Sequence, residues 1–181
     1  MRSTSTPARP ELLLQFETAA TSAAASVERV SYSASRLAAA VSKKSSGRIA
    51  IADTLDLPQE LFSDLQELPG IVTGRSKLDL AACDVGVTEA FAGVARTGSV
   101  CVAVDHDYSG VISLLARMHV AVLSADKITE RPGDLFSPHF LNGKALQRNF
   151  VFVTGPSATA DMGPLVRGVH GPHQLHIIIL E

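Results

Sequence analysis

Two cysteines, Cys83 and Cys101, are all the thiol in this 181-residue chain. They are too few for a four-thiolate iron-sulfur cluster or a cysteine-only zinc site within one chain, so a redox cofactor bound here would need other ligands. They do not form a CxxC pair, and a chain that is 46% hydrophobic needs no disulfide staple. The expectation is a reducing compartment, the cytoplasm, with both thiols as small core residues. An excess of positive charge is also missing. Sixteen basic residues against 18 acidic ones give a net charge of -2, which is no field for recruiting a phosphate backbone and excludes nucleic acid as the expected partner. No apolar run reaches the roughly 18 residues of a membrane-spanning helix. Residues 1–10 hold Arg2 and Arg9 among Ser, Thr and Pro without the apolar stretch of a secretory signal, and read as a disordered tail before one domain over 11–181.

What is present is an alternation of helical and strand signals. Phe16, Ala20, Ala23, Val27, Val30, Ala34, Leu37 and Val41 recur at helical spacing. However, Val27 to Ser33 is rich in β-branched and Ser residues, so helix, short strand, helix is the reading, with Ser31 or Ser33 as a cap. Arg48 to Asp53 reads as a buried strand, and Pro58 opens a short helix with Leu61, Phe62, Leu65 and Leu68 on one face, stopped by Pro69-Gly70. Strands are expected at 71–73, 84–88, 99–104, 119–123, 150–154 and 176–180, and a helix over 109–118. Apolar strands alternating with helices argue for a three-layer α/β/α domain with a mostly parallel sheet.

Three places hold residues that suit binding chemistry. Thr154-Gly155-Pro156-Ser157-Ala158-Thr159-Ala160-Asp161 follows what reads as a buried strand. In open α/β sheets ligands gather at the carboxyl ends of strands, where a Gly/Ser/Thr loop can aim N–H groups and hydroxyls at an anion. The alternative is a tight turn in which Ser157 and Asp161 satisfy loop amides. No Walker loop and no Gly-x-Gly-x-x-Gly is present. The second place is His170-Gly171-Pro172-His173-Gln174-Leu175-His176. Three close imidazoles suggest a metal, but no Cys or carboxylate accompanies them and strand alternation turns His176 away, so turn and capping roles are preferred. Gly155 is expected to let the chain leave its strand sharply, and Gly171 to turn it before Pro172. The third place is Arg96-Thr97-Gly98-Ser99, a turn that either offers further donors or is a plain hairpin. A relay of Ser157, a histidine and Asp161 lacks the Gly-x-Ser-x-Gly elbow.

Gly155-Pro-Ser-Ala-Thr-Ala-Asp161, followed by Gly168-Val-His-Gly-Pro172 and a closing apolar strand, resembles the C-terminal signature of the lactate-utilisation protein C family, whose unit is the LUD domain. The resemblance continues in Asp84-Val-Gly-Val-Thr88, Ala95-Arg-Thr-Gly-Ser99, and Ser113-Leu-Leu115 with His119. It implies a fold similar to the NagB, RpiA and CoA-transferase-like proteins. It also implies an accessory role in oxidising L-lactate to pyruvate, beside companion subunits that carry the iron-sulfur clusters. A small organic anion would bind at Thr97, Gly98, Ser99, Gly155, Pro156, Ser157, Thr159, Asp161, His170 and Gly171, with no cofactor or metal on this chain.

The pattern departs from that family where a Glu and two Arg residues are usual. Those positions read Arg96, Gly110 and Ala158, and Ala116-Arg117 replaces a Pro-Pro. Two guanidinium forks and a carboxylate are thereby lost, so either the ligand differs or the site has decayed. Two alternatives stand beside the accessory role: an enzyme acting alone on a phosphorylated or CoA-linked metabolite, and a divergent interaction domain without ligand.

Overall fold

A computed structural model describes residues 10–44, 47–105, 107–161 and 163–181. Of the tail expected over 1–10, residues 1–9 lie outside the described residues, and Pro10 belongs instead to the first helix, taking the first-turn position that suits a residue without an N–H. Helix α1 (Pro10–Ser22) is followed by β1 (Ser26–Val30) and α2 (Ala34–Ser42), the helix, strand, helix order that the β-branched break predicts. Ser33 holds the cap position of α2, although its hydroxyl bonds Ser35 rather than a backbone amide. β2 (Ile49–Ile51) comes next. The helix expected around Leu61 to Leu68 is split into a 3-10 turn, Gln59–Phe62, and a single α-turn, α3 (Ser63–Gln66). The strand expected at 71–73 shrinks to one bridge from Ile71 to Ile49.

After α4 (Lys77–Ala81) come β3 (Val85–Ala90), β4 (Ala92–Val94) and β5 (Ser99–Ala103), then α5 (Ser109–Leu115), β6 (Met118–Ser124) and β7 (Ile128–Thr129). Short 3-10 turns carry the chain to β8 (Phe150–Val153). A two-residue hairpin, β9 (Ala158–Thr159) and β10 (Val166–Arg167), precedes β11 (Gln174–Leu180).

The main sheet is wholly parallel, in the order β1-β11-β6-β3-β2, so the last strand lies next to the first. Two of its three inner strands, β11 and β6, are buried along nearly their whole length and mostly apolar on both faces, as strands covered on both sides must be. Val85, Val87, Val120, Val122 and Ile178 pack against α2 and α3. Their alternates Ala121, Leu123, Ile177 and Ile179 pack with Phe16 and Ala20 of α1, and Gly86 lies against Ile112 of α5. Each fully buried Ile or Leu contributes roughly 1.5 to 3 kcal/mol, which makes this face alternation the main source of stability. Helices therefore flank a mostly parallel sheet.

A second sheet, ordered β7-β4-β5-β8, packs beside α1 and holds the antiparallel pairs β4-β5 and β5-β8. Here the reading of 150–154 as a buried strand is corrected. β8 is an edge strand, with Val151 and Phe152 each 42% exposed. Its apolar residues on both faces mimic a central strand in sequence, but among the described residues only β5 pairs with it.

Candidate functional site

The β5-β8 pairing brings two of the three sequence-defined places together. Val100 lies opposite Val153, so the residues just outside that pair, Ser99 and Thr154, meet: Ser99 Oγ is 2.6 Å from Thr154 Oγ1 and 2.7 Å from Thr97 Oγ1. A chain of three hydroxyls thus joins the Thr97-Gly98 turn to the Gly155 loop. Gly98 (φ +65) and Gly155 (φ +72) both hold the left-handed conformation. A side chain at Gly98 would overlap the Ala20 backbone of α1, and one at Gly155 the Ala23 carbonyl just beyond it.

The third place joins through the backbone. The Ser157 N–H donates to Pro172 O (3.0 Å), and the Gly168 N–H donates to Ser157 O (2.9 Å). The Ser157 amide, which an anion cradle would need, is therefore committed to the loop. Its hydroxyl makes no hydrogen bond with another described residue. Gly171 does not have positive φ; Gly168 does, at +79. The turn before Pro172 therefore relies on Gly168.

Around these loops opens a cleft of about 740 Å³. Gly155, Pro156, Ser157, His170 and Gly171 line it, as do Thr154, Lys77 and Gly110. Thr97, Gly98 and Ser99 support it from behind through the hydroxyl chain. Thr159 and Asp161 stand outside it on the β9-β10 hairpin, where the Asp161 N–H reaches Thr159 Oγ1 at 3.4 Å. Most of the wall is apolar, contributed by Val111, Leu114 and Leu115 of α5, Val151 and Phe152 of β8, and Leu175. Of the three positions that depart from the family pattern, only Gly110 lines the cleft; Arg96 and Ala158 are exposed elsewhere.

The imidazoles are dispersed. His170 lines the cleft, the His173 ring crowds Gly168, and His176 lies buried on β11 with Nδ1 2.7 Å from Ser26 Oγ and Nε2 3.5 Å from Glu28 Oε2. Burial, with Lys44 nearby, pushes His176 down to about 4 despite the opposing Glu28. No hydrogen bond joins Ser157, a histidine and Asp161 among the described residues, so the imagined relay is not assembled. Burial raises Cys101 to about 12, which leaves it an unreactive thiol.

The cleft's position corrects one expectation. His119 and Leu175 lie at the beginnings of β6 and β11, so the cleft opens at the amino ends of the parallel strands, because β8 belongs to the other sheet. The carboxyl ends hold a second cavity of about 770 Å³, walled by Tyr32, Glu89, Asp126, Lys127 and Glu181. Glu89, at the end of β3, is nearly buried and accepts the N–H groups of Leu55 (2.5 Å), Asp56 (3.0 Å) and Leu57 (3.1 Å). Burial raises its pKa against the pull of those donors. Sequence reasoning missed both Glu89, hidden in the apolar strand Val-Gly-Val-Thr-Glu-Ala, and Lys77.

Residues 18–180 match the model of the LUD domain. The chain belongs to the LUD domain family. Over 103 residues it is 30% identical to Lactate utilization protein C of Oceanobacillus iheyensis, a match taking in 54% of this chain and 44% of that one. Over 102 residues it is 30% identical to Lactate utilization protein C of Bacillus subtilis, taking in 54% and 42%. The match thus spans under half the length of these relatives. The crystal structure of a DUF162 family protein from Deinococcus radiodurans superposes with a TM-score of 0.71 over 97% of this chain and 100% of that one, at 19% identity. That likeness shows a shared fold.

Proposed function

We propose that this LUD domain is a cytoplasmic accessory component of lactate utilisation that binds a small organic anion in the cleft at Gly155 to Ser157, while companion subunits carry the iron-sulfur clusters. The observation that carries the reading is the run of relatives named Lactate utilization protein C. The cleft supports it. A Lys, an exposed His and an available Ser hydroxyl edge an apolar hollow, a setting suited to a carboxylate with a hydrocarbon body. With two buried cysteines, the chain itself does not supply a cluster's thiolates.

The test is twofold. Calorimetric titration with L-lactate, pyruvate and phosphate should show binding that Ser157→Ala weakens. Affinity purification from cells grown on lactate should co-purify cysteine-rich, iron-containing proteins. A chain that binds none of the three anions and brings down no such partner would overturn the reading.

One observation favours a second reading, an enzyme acting alone on a phosphorylated or CoA-linked metabolite: Glu89 is a perturbed carboxylate in a cavity at the strand carboxyl ends. Turnover of CoA thioesters or sugar phosphates that disappears in Glu89→Gln would establish that reading instead.

A further inference from the structure

One residue lining the cleft carries a buried polar atom with no partner among the described residues. His119, second residue of β6, is wholly buried. Its Nε2 lies 2.9 Å from Thr88 Oγ1 on β3, while Nδ1 has no hydrogen-bond partner among the described residues and is closed to bulk water. The register explains why the chain leaves it unpaired. His119 sits between Gly86 on one side and Leu175 on the other, and neither has a polar side chain. Two other hydroxyls of the cleft are committed elsewhere: Ser113 Oγ donates to Gly110 O, and Thr154 Oγ1 pairs with Ser99. Buried polar atoms are nearly always satisfied, so an orphan in the wall of a hollow calls for a partner from outside the chain.

Two further facts describe that partner. Lys77 and His170, on the same cleft, are exposed, whereas His119 is not. The charged end of a ligand therefore belongs at the rim and a polar atom at the buried end, with the apolar side chains of α5 and β8 between. The volume, about 740 Å³, lies in the range of pockets that enclose ligands far larger than a three-carbon acid, roughly 300–1,000 Å³.

We propose that the cleft recognises a hydroxy- or oxo-carboxylic acid longer than lactate, its carboxylate at the Lys77 rim and its remote oxygen hydrogen-bonded to His119 Nδ1, which the ligand uncovers on binding by displacing the side chains that close over it. This rests on the reading of the cleft as an organic-acid site and names the ligand class it selects. Both oxidation levels fit for one reason. The Thr88 hydroxyl can either accept from Nε2–H or donate to Nε2, so Nδ1 either accepts from an alcohol or donates to a carbonyl. Burial holds the ring neutral down to about pH 4, so it contributes a hydrogen bond and no charge.

The experiment titrates the wild-type chain with 6-hydroxyhexanoate, hexanoate and L-lactate. Each methylene buried in the cleft is worth about fourfold in affinity, so 6-hydroxyhexanoate should bind at least tenfold more tightly than lactate. Its hydroxyl should add several-fold over hexanoate in wild type and nothing in His119→Phe. If that variant does not fold, nitrogen NMR of the wild-type imidazole decides the matter: the His119 Nδ1 resonance should move with 6-hydroxyhexanoate and stay in place with hexanoate. Equal binding of the two long acids, an unmoved Nδ1 resonance, or lactate as the tightest of the three would overturn the proposal. Failure of lactate alone to bind would instead count against lactate as the ligand and leave the selection of longer acids standing.

Discussion

Thr88 Oγ1 lies 2.9 Å from His119 Nε2 across the adjacent parallel strands β3 and β6, and both side chains are wholly buried. Burial keeps the imidazole neutral there, lowering its pKa from 6.5 to about 4. His176, buried two residues into β11, is lowered to about 4 as well. Both groups bind protons more readily in the unfolded chain. Stability is therefore fully present above pH 6.5 and falls as the pH drops from there toward 4. His119 alone should contribute a loss of about 3 kcal/mol by pH 4. Thermal unfolding across pH 4 to 8 should show this slope, and His119→Phe should flatten it. A melting temperature independent of pH in that window would show that neither ring is held neutral by folding.

Gly155 and Gly98 should be the least replaceable glycines near the cleft. Both have positive φ, and an added Cβ would strike backbone of residues 19–23, which cannot move without displacing the end of α1. Gly155→Ala and Gly98→Ala should each destabilise by about 1 kcal/mol or more. Gly171→Ala should cost less than either, because Gly171 lacks positive φ and its Cβ would lie 3.1 Å from Ser157 Cβ, a side-chain neighbour with room to yield. Denaturant unfolding of the three variants gives the order directly.

The contrast between these glycines shows how far the sequence was legible. Runs such as Ile177 to Leu180 or Val120 to Leu123 declare buried parallel strands by composition alone, and the helix, strand, helix opening followed from a β-branched break in an Ala-rich period. The Thr97 turn and the Gly155 loop were recognisable as polar turns, but not as neighbours, because the pairing of β5 with β8 that joins them is non-local. The same limit misplaced the cleft: Phe150 to Val153 looks like a central strand, and only the sheet order shows it to be an edge. His119 was visible only as part of a family resemblance, since an unpaired nitrogen is a property of its strand neighbours, Gly86 and Leu175, and not of its own sequence surroundings. The segment 125–148 was opaque because 3-10 turns and long-range pairs hold it. One such pair is the bidentate ion pair of Arg148 with Asp56, which also sets the guanidinium 4.8 Å from the Phe91 ring.

Glu89 should prove structural as well as chemically suggestive. Its carboxylate gathers the amides of Leu55, Asp56 and Leu57 into one loop at the rim of the second cavity. Glu89→Ala leaves those N–H groups without their acceptor, and the loss should be about 1 to 3 kcal/mol. Hydrogen exchange at the three amides should accelerate in the variant. Unchanged protection there would mean that water or the neighbouring chain satisfies them equally well.

Ser157 and Thr159 are two residues apart in sequence, yet the structure separates them: Ser157 lines the cleft, while Thr159 lies on the β9-β10 hairpin outside it. Their alanine variants should therefore behave differently toward a small anion. The Ser157 hydroxyl makes no hydrogen bond with a described residue, so Ser157→Ala should leave stability nearly unchanged. If that hydroxyl grips a carboxylate, affinity should fall by roughly 1.5 to 3 kcal/mol, the value of a hydrogen bond to a charged group. Thr159→Ala removes only the 3.4 Å acceptor of the Asp161 N–H, a marginal contact on an exposed hairpin, and should alter neither binding nor stability by more than a few tenths of a kcal/mol. Calorimetric titration of both variants with L-lactate and phosphate, alongside thermal unfolding, separates the two sites. Equal weakening in both variants would mean that the hairpin folds over the bound anion. Unchanged affinity in Ser157→Ala, with wild type binding normally, would show that this hydroxyl is not among the anion's contacts and leave Lys77 and His170 of the same cleft to hold the carboxylate.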